Sequence, residues 1–349
     1  MIDVDGTHGE GGGQILRTSL AMSVLTGQPL RMRGIRGRRP KPGLMPQHLQ
    51  AVHAAAAISQ ARVQGAKLGS TELTFEPRSL NAGDYSFDIG TAGAVTLVVQ
   101  TVTIPLSFAR TGSRVTVIGG THVPWSPSFP YLADHWLHYL QCCGYHIRAA
   151  LERLGFYPKG GGRVTVELEP ATGLRPLSLV ERGPLQRIYG LSMVANLDVS
   201  IAERQRHQAM QRLTRHGVGI NIELAHMQAY SPGTMLLLIA EFELTRCCYS
   251  ALGARGKPAE RVADEAVDAL EAFLRTDAAI DEHLADQLIV PLAAVVGRSE
   301  VRPARITQHL VTNADVVRLF LPVDIVIDGA IGTTGSISIE GSGPCRPRS

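Results

Sequence analysis

The sequence predicts an α/β chain made of repeated strand, loop and helix units, with a smaller α/β insert set into it. Three observations carry that reading. Short β-branched segments alternate with longer helical patterns, as where Arg114 to Ile118 is followed, past a Gly/Pro loop, by a helical stretch from Tyr131 to Cys143. A strand, glycine-bearing loop and helix recur around residues 9–25, 36–58, 90–102 and 119–143, which points to a repeated supersecondary unit. The composition then changes near Leu179, and the pattern up to about Ala278 runs strand, helix, strand, strand, helix. Its first helix is the charged stretch from Ala202 to His216, its central strand is Met235 to Ile239, and its second helix is the Ala- and Glu-rich stretch from Ala259 to Leu274. The earlier pattern resumes with Asp281 and His283. Residues 1–178 and 279–341 are therefore expected to form one discontinuous domain, 179–278 an insert, and 342–349 a disordered tail.

Composition excludes several classes. At 349 residues and 44% hydrophobic, the chain can bury a large core. A net charge of +3 is too small to imply nucleic acid without local clustering. The acidic start, Met1 to Gly6, resembles neither a secretory signal nor a membrane anchor, and no apolar run reaches spanning length. The cysteines fall as Cys142-Cys143, Cys247-Cys248 and Cys345, with no C-x-x-C spacing, so a reduced, cytoplasmic protein without structural zinc is expected.

Five local patterns bear chemistry. The loop Gly9-Glu10-Gly11-Gly12-Gly13 opens a helix carrying Gln14 and Arg17, and free N–H groups at such a terminus suit an anion. Glu10 within that loop would be a carboxylate among anion-binding groups, which makes sense beside a divalent cation. Arg31, Arg33, Arg36, Arg38, Arg39 and Lys41 form a basic stretch ending at Pro42-Gly43, ahead of a helix containing Gln47 and His48, and arginine forks suit phosphates. Gly90-Thr91-Ala92-Gly93 opens an apolar helix that reaches Gln100, as a second anion-binding helix terminus or a simple helix cap, and Phe156 to Gly162 reads as another phosphate loop or as a hairpin connection. Last, helical spacing would point His283, Asp286 and Gln287 together from a helix whose other face is Leu284, Leu288 and Ile289. A neutral imidazole there, or at His309 beyond the next strand, can be a general base, a metal ligand or a nucleophile.

Taken in order, Gly9 to Arg17, Lys41-Pro42-Gly43-Leu44 with Gln47-His48-Leu49, Gly155 to Gly162, His283 to Gln287 and His309 to Asn313 resemble the RNA 3'-terminal phosphate cyclases across nearly the whole chain. The resemblance implies a core of repeated βαβαββ-type units, as in the enolpyruvate transferases, with a smaller α/β insert. It implies ATP as co-substrate, Mg2+ or Mn2+ as divalent cation, and RNA with a 3'-terminal phosphate as partner, with no membrane. A homodimer is compatible with it. By position, His309 would be the catalytic nucleophile that takes AMP, and Gln100, His283, Leu284, Ala285, Asp286 and Gln287 would line the ATP pocket. Arg17, Arg36, Arg39 and Gln47 would hold phosphates of ATP or RNA, and Glu10 would assist the metal.

The chain departs from the family pattern at His122-Val123-Pro124-Trp125-Ser126-Pro127 and at Pro46, which puts substrate contacts in doubt but not the nucleophile. Two rivals remain: a cyclase-like protein without catalysis that acts in ribosome assembly, and an enolpyruvyl transferase, which would need no covalent histidine.

Overall fold

The computed structural model describes residues 1–344; of the tail expected to be disordered, residues 345–349 lie outside the described residues. The first unit runs β1 (Ile2–Asp5), α1 (Gly13–Thr26), β2 (Leu30–Arg33), α2 (Pro46–Ser59), β3 (Arg62–Gln64) and β4 (Leu73–Glu76). Its sheet has the order β1-β2-β4-β3, with β1 and β2 parallel and the other pairs antiparallel. The second unit repeats this plan. It runs β5 (Asp84–Asp88), α3 (Val95–Leu106), β6 (Ser113–Gly119), a π-helical turn (Tyr131–Trp136) continuing into α4 (Leu137–Cys142), β7 (His146–Arg153) and β8 (Gly162–Glu169), with order β5-β6-β8-β7.

The third unit begins with β9 (Ser178–Leu179) and is interrupted at once. Between β9 and the helix that should follow it lie β10 (Leu185–Ala195), α5 (Val199–Leu213), β11 (Gly219–Met227), β12 (Gly233–Phe242), β13 (Arg246–Leu252) and α6 (Ala259–Leu274). These strands form a separate sheet, β11-β10-β12-β13. The third unit then resumes as α7 (Glu282–Ala293), β14 (Gly297–Val301), α8 (Gln308–Phe320), β15 (Asp324–Asp328) and β16 (Ser336–Gly341). Its sheet, read from β9, is β9-β14-β16-β15, the same order and the same parallel and antiparallel pairs as the first two. Three βαβαββ units thus make the core, and the recurrence seen in the sequence is the half-unit of loop and helix.

Local chemistry explains the helix ends. Helix α1 stops at Gly27, whose left-handed φ of 73° costs glycine little, and α2 starts on Pro46, where the missing N–H would have had no partner. The charged helix of the interrupting segment begins at Val199, three residues before the expected start at Ala202, because Asp198 caps it by accepting from Ser200 N at 2.9 Å.

The helices of the core pack on one another: α1 lies against α2, α3 and α8, and α7 against α8. Their buried faces, with Leu16, Leu20, Val52, Val98, Leu284, Leu288 and Leu310, join one continuous apolar cluster under the sheets. Cutting one of these leucines to alanine costs about 2–5 kcal/mol. The interrupting segment has its own cluster, in which Leu236, Leu238, Val262, Val267, Leu270 and Phe273 join sheet to α6.

For two loops the contacts decide between the alternatives that the sequence leaves open. The Gly90–Gly93 loop does not offer α3 as an open anion site, because Ala94 N donates to Gln47 Oε1 and Val95 N to Gly120 O, both at 2.9 Å. Residues Phe156 to Gly162 are the connection between the antiparallel strands β7 and β8, so the hairpin reading holds there.

Candidate active site

The glycine loop lets three elements converge. Gly9 has φ +61°, and a Cβ on it would lie 2.1 Å from Thr312 Oγ1 of α8. A Cβ on Gly13 would lie 2.1 Å from His48 Nε2 of α2 and 3.1 Å from Arg17 Nη1. Side chains at these positions would push α8 and α2 away from α1. With glycine, Glu10 reaches both the basic loop and α8: Arg39 donates to its carboxylate at 3.0 Å, and His309 Nε2 stands 3.5 Å away.

His309 lies in the first turn of α8. Thr307 caps that helix by accepting from Leu310 N at 3.0 Å, and its hydroxyl donates to the buried Asp286 carboxyl of α7. The backbone behind is also fixed. Asn313 bridges Asp286 O (2.8 Å) and the Thr18 hydroxyl (2.6 Å), and Gln14 Nε2 reaches His309 O at 3.4 Å. These contacts tie α1, α7 and α8 together around the imidazole, whose side chain remains 40% exposed. Partial burial holds the His309 pKa below the usual imidazole value; Arg17, Arg39 and His283 also press it down, while Glu10 pushes up. The ring is thus neutral, with a free lone pair, at neutral pH.

The arginines divide into different tasks. Arg36, with φ +53°, donates to Lys41 O (2.6 Å) and Gly43 O (3.0 Å) and braces its own loop. Arg38 holds Gly9 O at 2.8 Å, and Arg39 holds Glu10. Arg17 is different: burial lowers its pKa to about 10, and among the described residues no carboxylate or carbonyl pairs with it. A desolvated guanidinium without a counter-ion beside a neutral histidine is a ready seat for an anion. Next to it, burial first and then Arg17 and Arg36 push His48 down to about 3, so His48 stays neutral and accepts from Met45 N through Nδ1.

The expected nucleotide-lining residues are split by the structure. Gln100 of α3 and Gln287 of α7 meet at 2.6 Å, and His283 is exposed close enough to act on His309. Asp286 is buried beneath α8, and burial together with nearby Glu282, Asp281 and Glu10 raises its pKa well above the carboxylate range. Leu284 and Ala285 are fully buried and have no exposed side chain with which to touch a ligand, because their position on α7 faces the core. Gln47 spends its oxygen on Ala94 N and keeps its amide N–H groups.

Sequence reasoning did not single out Thr307, Asn313 or Thr18. A threonine just before the apolar run of α8 is a recognisable cap signal, whereas the Thr18 to Asn313 contact joins residues 295 apart and has no local signature. It also missed the fully buried His135, which meets Asp281 at 2.6 Å below the start of α7, where Asp281 caps the helix by accepting from Leu284 N.

Glu10 was also expected to assist a metal. Among the described residues no group of three or more His, Cys, Asp and Glu side chains is placed to hold an ion. The donor set therefore does not fit an all-protein cage, but a single carboxylate beside an anion seat fits a hard cation that takes its other ligands from phosphate oxygens and water.

Three βαβαββ units with a histidine, a carboxylate and an unpaired arginine at the meeting point of the first and third define a protein of repeated-unit architecture with a candidate anion site. The chain belongs to the RNA 3'-terminal phosphate cyclase family, whose pattern it matches over residues 8–327. Curated relatives under that name include one from Caldivirga maquilingensis, 45% identical over 93% of this chain and 94% of the relative. Another, from Methylococcus capsulatus, is 44% identical over 98% and 97%. Among solved structures, the enolpyruvyl transferase NikO from Streptomyces tendae aligns at 12% identity with a TM-score of 0.39, over 98% of this chain and 48% of that one. No described helix is long and apolar enough to cross a membrane.

Proposed function

We propose that this chain uses ATP to convert the 3'-terminal phosphate of RNA into a 2',3'-cyclic phosphate, through AMP carried on His309. The observation that supports this most is the neutral, partly exposed His309 at the start of α8, flanked by Glu10 and by the unpaired Arg17. In the first step a ring nitrogen attacks the α-phosphorus of ATP, an N–P bond forms and pyrophosphate leaves. In the second, an oxygen of the RNA 3'-phosphate attacks the same phosphorus and releases the imidazole, leaving RNA capped by AMP through an anhydride. In the third, the neighbouring 2'-hydroxyl attacks the terminal phosphorus of the RNA, loses its proton and expels AMP.

In this reading Arg17 binds the phosphate that changes hands, Arg39 positions Glu10, and Arg36 keeps the basic loop in shape. Gln100, His283 and Gln287 face the nucleotide, Leu284 and Ala285 serve by packing α7, and Gln47 donates to a phosphate through its amide. Glu10 would hold a divalent cation together with phosphate oxygens, and that ion would supply neutralisation of phosphate charge. Residues 179–278 are an insert domain that leaves this chemistry to the core. The non-catalytic reading gives the unpaired Arg17 and the capped, oriented His309 no task.

The test is self-labelling. Protein given ATP labelled at the α-phosphate, with Mg2+ or Mn2+, should acquire label that survives denaturation and is released by acid, as a phosphoramidate is. His309→Ala should acquire none. Label that persists in the alanine variant removes His309 as the carrier.

A further inference from the structure

The exposed large apolar side chains of the described residues include three aromatics, Trp125, Tyr157 and Tyr230, and all three gather around the β7–β8 connection. Tyr157 belongs to that connection, and Trp125 shares with it a cavity of about 280 Å³ lined also by Gln47, Ala92, Val123 and Pro124. Tyr230 lies over Gly161 so closely that a Cβ there would meet its ring at 2.3 Å.

Trp125 is the unusual one. It is 99% exposed and held at φ +65°, a left-handed conformation that a bulky side chain rarely adopts. Its loop is pinned: Thr96 donates to Pro127 O at 2.8 Å, Ser126 to Val123 O at 3.0 Å, and Phe129 N to Thr121 O at 3.0 Å. The opposite wall is pinned as well, with Phe156 against the His122 ring at 5.2 Å and Lys159 N donating to Ser231 Oγ at 3.1 Å. An indole presented to solvent on a held loop contributes nothing to the core.

Basic groups accompany the rings. Arg153 stacks over Tyr230 at 4.7 Å, and Lys159 is exposed beside Tyr157. Gln47, which lines the cavity, precedes His48, and His48 sits against Gly13 and Arg17. The apolar cleft thus touches α2 one residue before His48, and aromatic and cationic side chains flank it. Neighbouring π faces and cations fit a single nucleic-acid strand, because every base stacks and every linkage is anionic.

We infer that the cleft between Trp125 and Tyr157 seats a base at the 3' end of a single-stranded RNA, with Tyr230, Arg153 and Lys159 carrying the strand away from the active site. The inference rests on the cyclase reading for its choice of RNA, and it adds a base contact that is independent of sequence. The seat selects an unpaired end, since a base held in a duplex cannot offer both faces to the cleft.

The chain has two tryptophans, and the other, Trp136, is buried, so Trp125 reports on its own surroundings. Titration of the wild-type protein with a 3'-phosphorylated oligoribonucleotide should quench and shift the exposed-indole emission. Trp125→Ala should bind the strand about 10-fold more weakly, while Trp125→Phe keeps most of the affinity. An abasic residue moved through the last few positions of the strand should abolish the quench at one of them. Self-labelling with ATP should need the same ATP concentration in Trp125→Ala as in wild type. Unchanged RNA affinity in Trp125→Ala, or a quench that persists with every abasic strand, overturns the inference. A matching rise in the ATP concentration needed for labelling overturns it too, by assigning the seat to the adenine of ATP. If wild-type protein fails to self-label, the cyclase reading fails separately, and quenching by the strand, lost in Trp125→Ala, still decides whether the seat exists.

Discussion

Thr307→Val isolates the device that aims His309. The threonine hydroxyl accepts from Leu310 N and donates to Asp286, and valine keeps the shape while removing both bonds. Losing the cap costs about 1 kcal/mol. Leaving the buried Asp286 carboxyl without its donor costs about 1–3 kcal/mol more, and Asp286 is only 6% exposed, so water does little to replace the bond. Together the variant should unfold about 2–4 kcal/mol more easily in urea, and Thr307→Ser should stay within about 0.5 kcal/mol of wild type. Function should suffer beyond stability. The first turn of α8 carries the imidazole, and a shift of about 1 Å at a reacting group can lower a rate about 100-fold. Self-labelling, measured where both proteins are folded, should therefore slow strongly in the valine variant and recover with serine. The double variant Thr307→Val/Asp286→Asn should lose less than the sum of its parts, because each single change breaks the same bond. A valine variant with native stability and native labelling would refute the idea that this pair positions the proposed nucleophile.

Other expectations follow from the same geometry. The acid limb of self-labelling should lie below about pH 6.5, because burial and the neighbouring cations hold His309 down. Glu10→Gln removes an upward influence and should move the limb to lower pH, whereas Arg39→Ala removes a downward one and should move it higher; shifts of opposite sign in a pH–rate profile would contradict the assignment. A strand ending in a 2'-deoxy 3'-phosphate should accept AMP and stop there, so the capped species accumulates on a gel, while an all-RNA strand becomes resistant to phosphatase; RNA left fully sensitive after incubation with self-labelling enzyme would sink the cyclisation step. Acid should destabilise the fold through His48 and His122, both held neutral down to about 3. Below pH 6.5 the unfolded chain binds protons that the folded chain refuses, so stability falls with pH by about 1.4 kcal/mol per unit for each histidine. Denaturation at pH 7 and pH 5 should show that slope, and His122→Gln should remove about half of it.

The parts of the site that were legible from the sequence are those whose chemistry is local. Glycines before Gln14 and Arg17 need no partner to announce a close approach, and helical spacing alone puts His283 outside and Leu284, Leu288 and Ile289 inside. The same spacing misleads for Asp286, which shares the polar face but is covered by the start of α8, a segment 21 residues further on. Six basic residues in one stretch likewise look equivalent in a sequence. Only the fold shows that Arg36 is occupied with its own loop, that Arg39 holds a carboxylate, and that the desolvated cation near His309 is Arg17, outside the cluster. The repeat was visible as a loop and helix because those carry the strongest signals; the third copy was hidden by the segment that separates β9 from α7.

That separation also bears on why the site sits where it does. Helix α1 belongs to the first unit and α8 to the third, and their packing places Glu10 against His309 across almost the full length of the chain. No single βαβαββ unit contains both partners, so the pair exists only when the outer units dock. The docking surface is partly polar: Thr18 to Asn313 and Gln14 to the His309 carbonyl are paid for by geometry that only the docked arrangement supplies. An apolar seam would tolerate a slide of one helix along the other, whereas buried hydrogen bonds fix the register, because a slipped contact leaves donors and acceptors unsatisfied. The glycines at 9 and 13 then set how near the helices come. A four-stranded sheet with its two helices can lie between β9 and the rest of the third unit without disturbing this, since β9 still pairs with β14 and α7 still packs on α8.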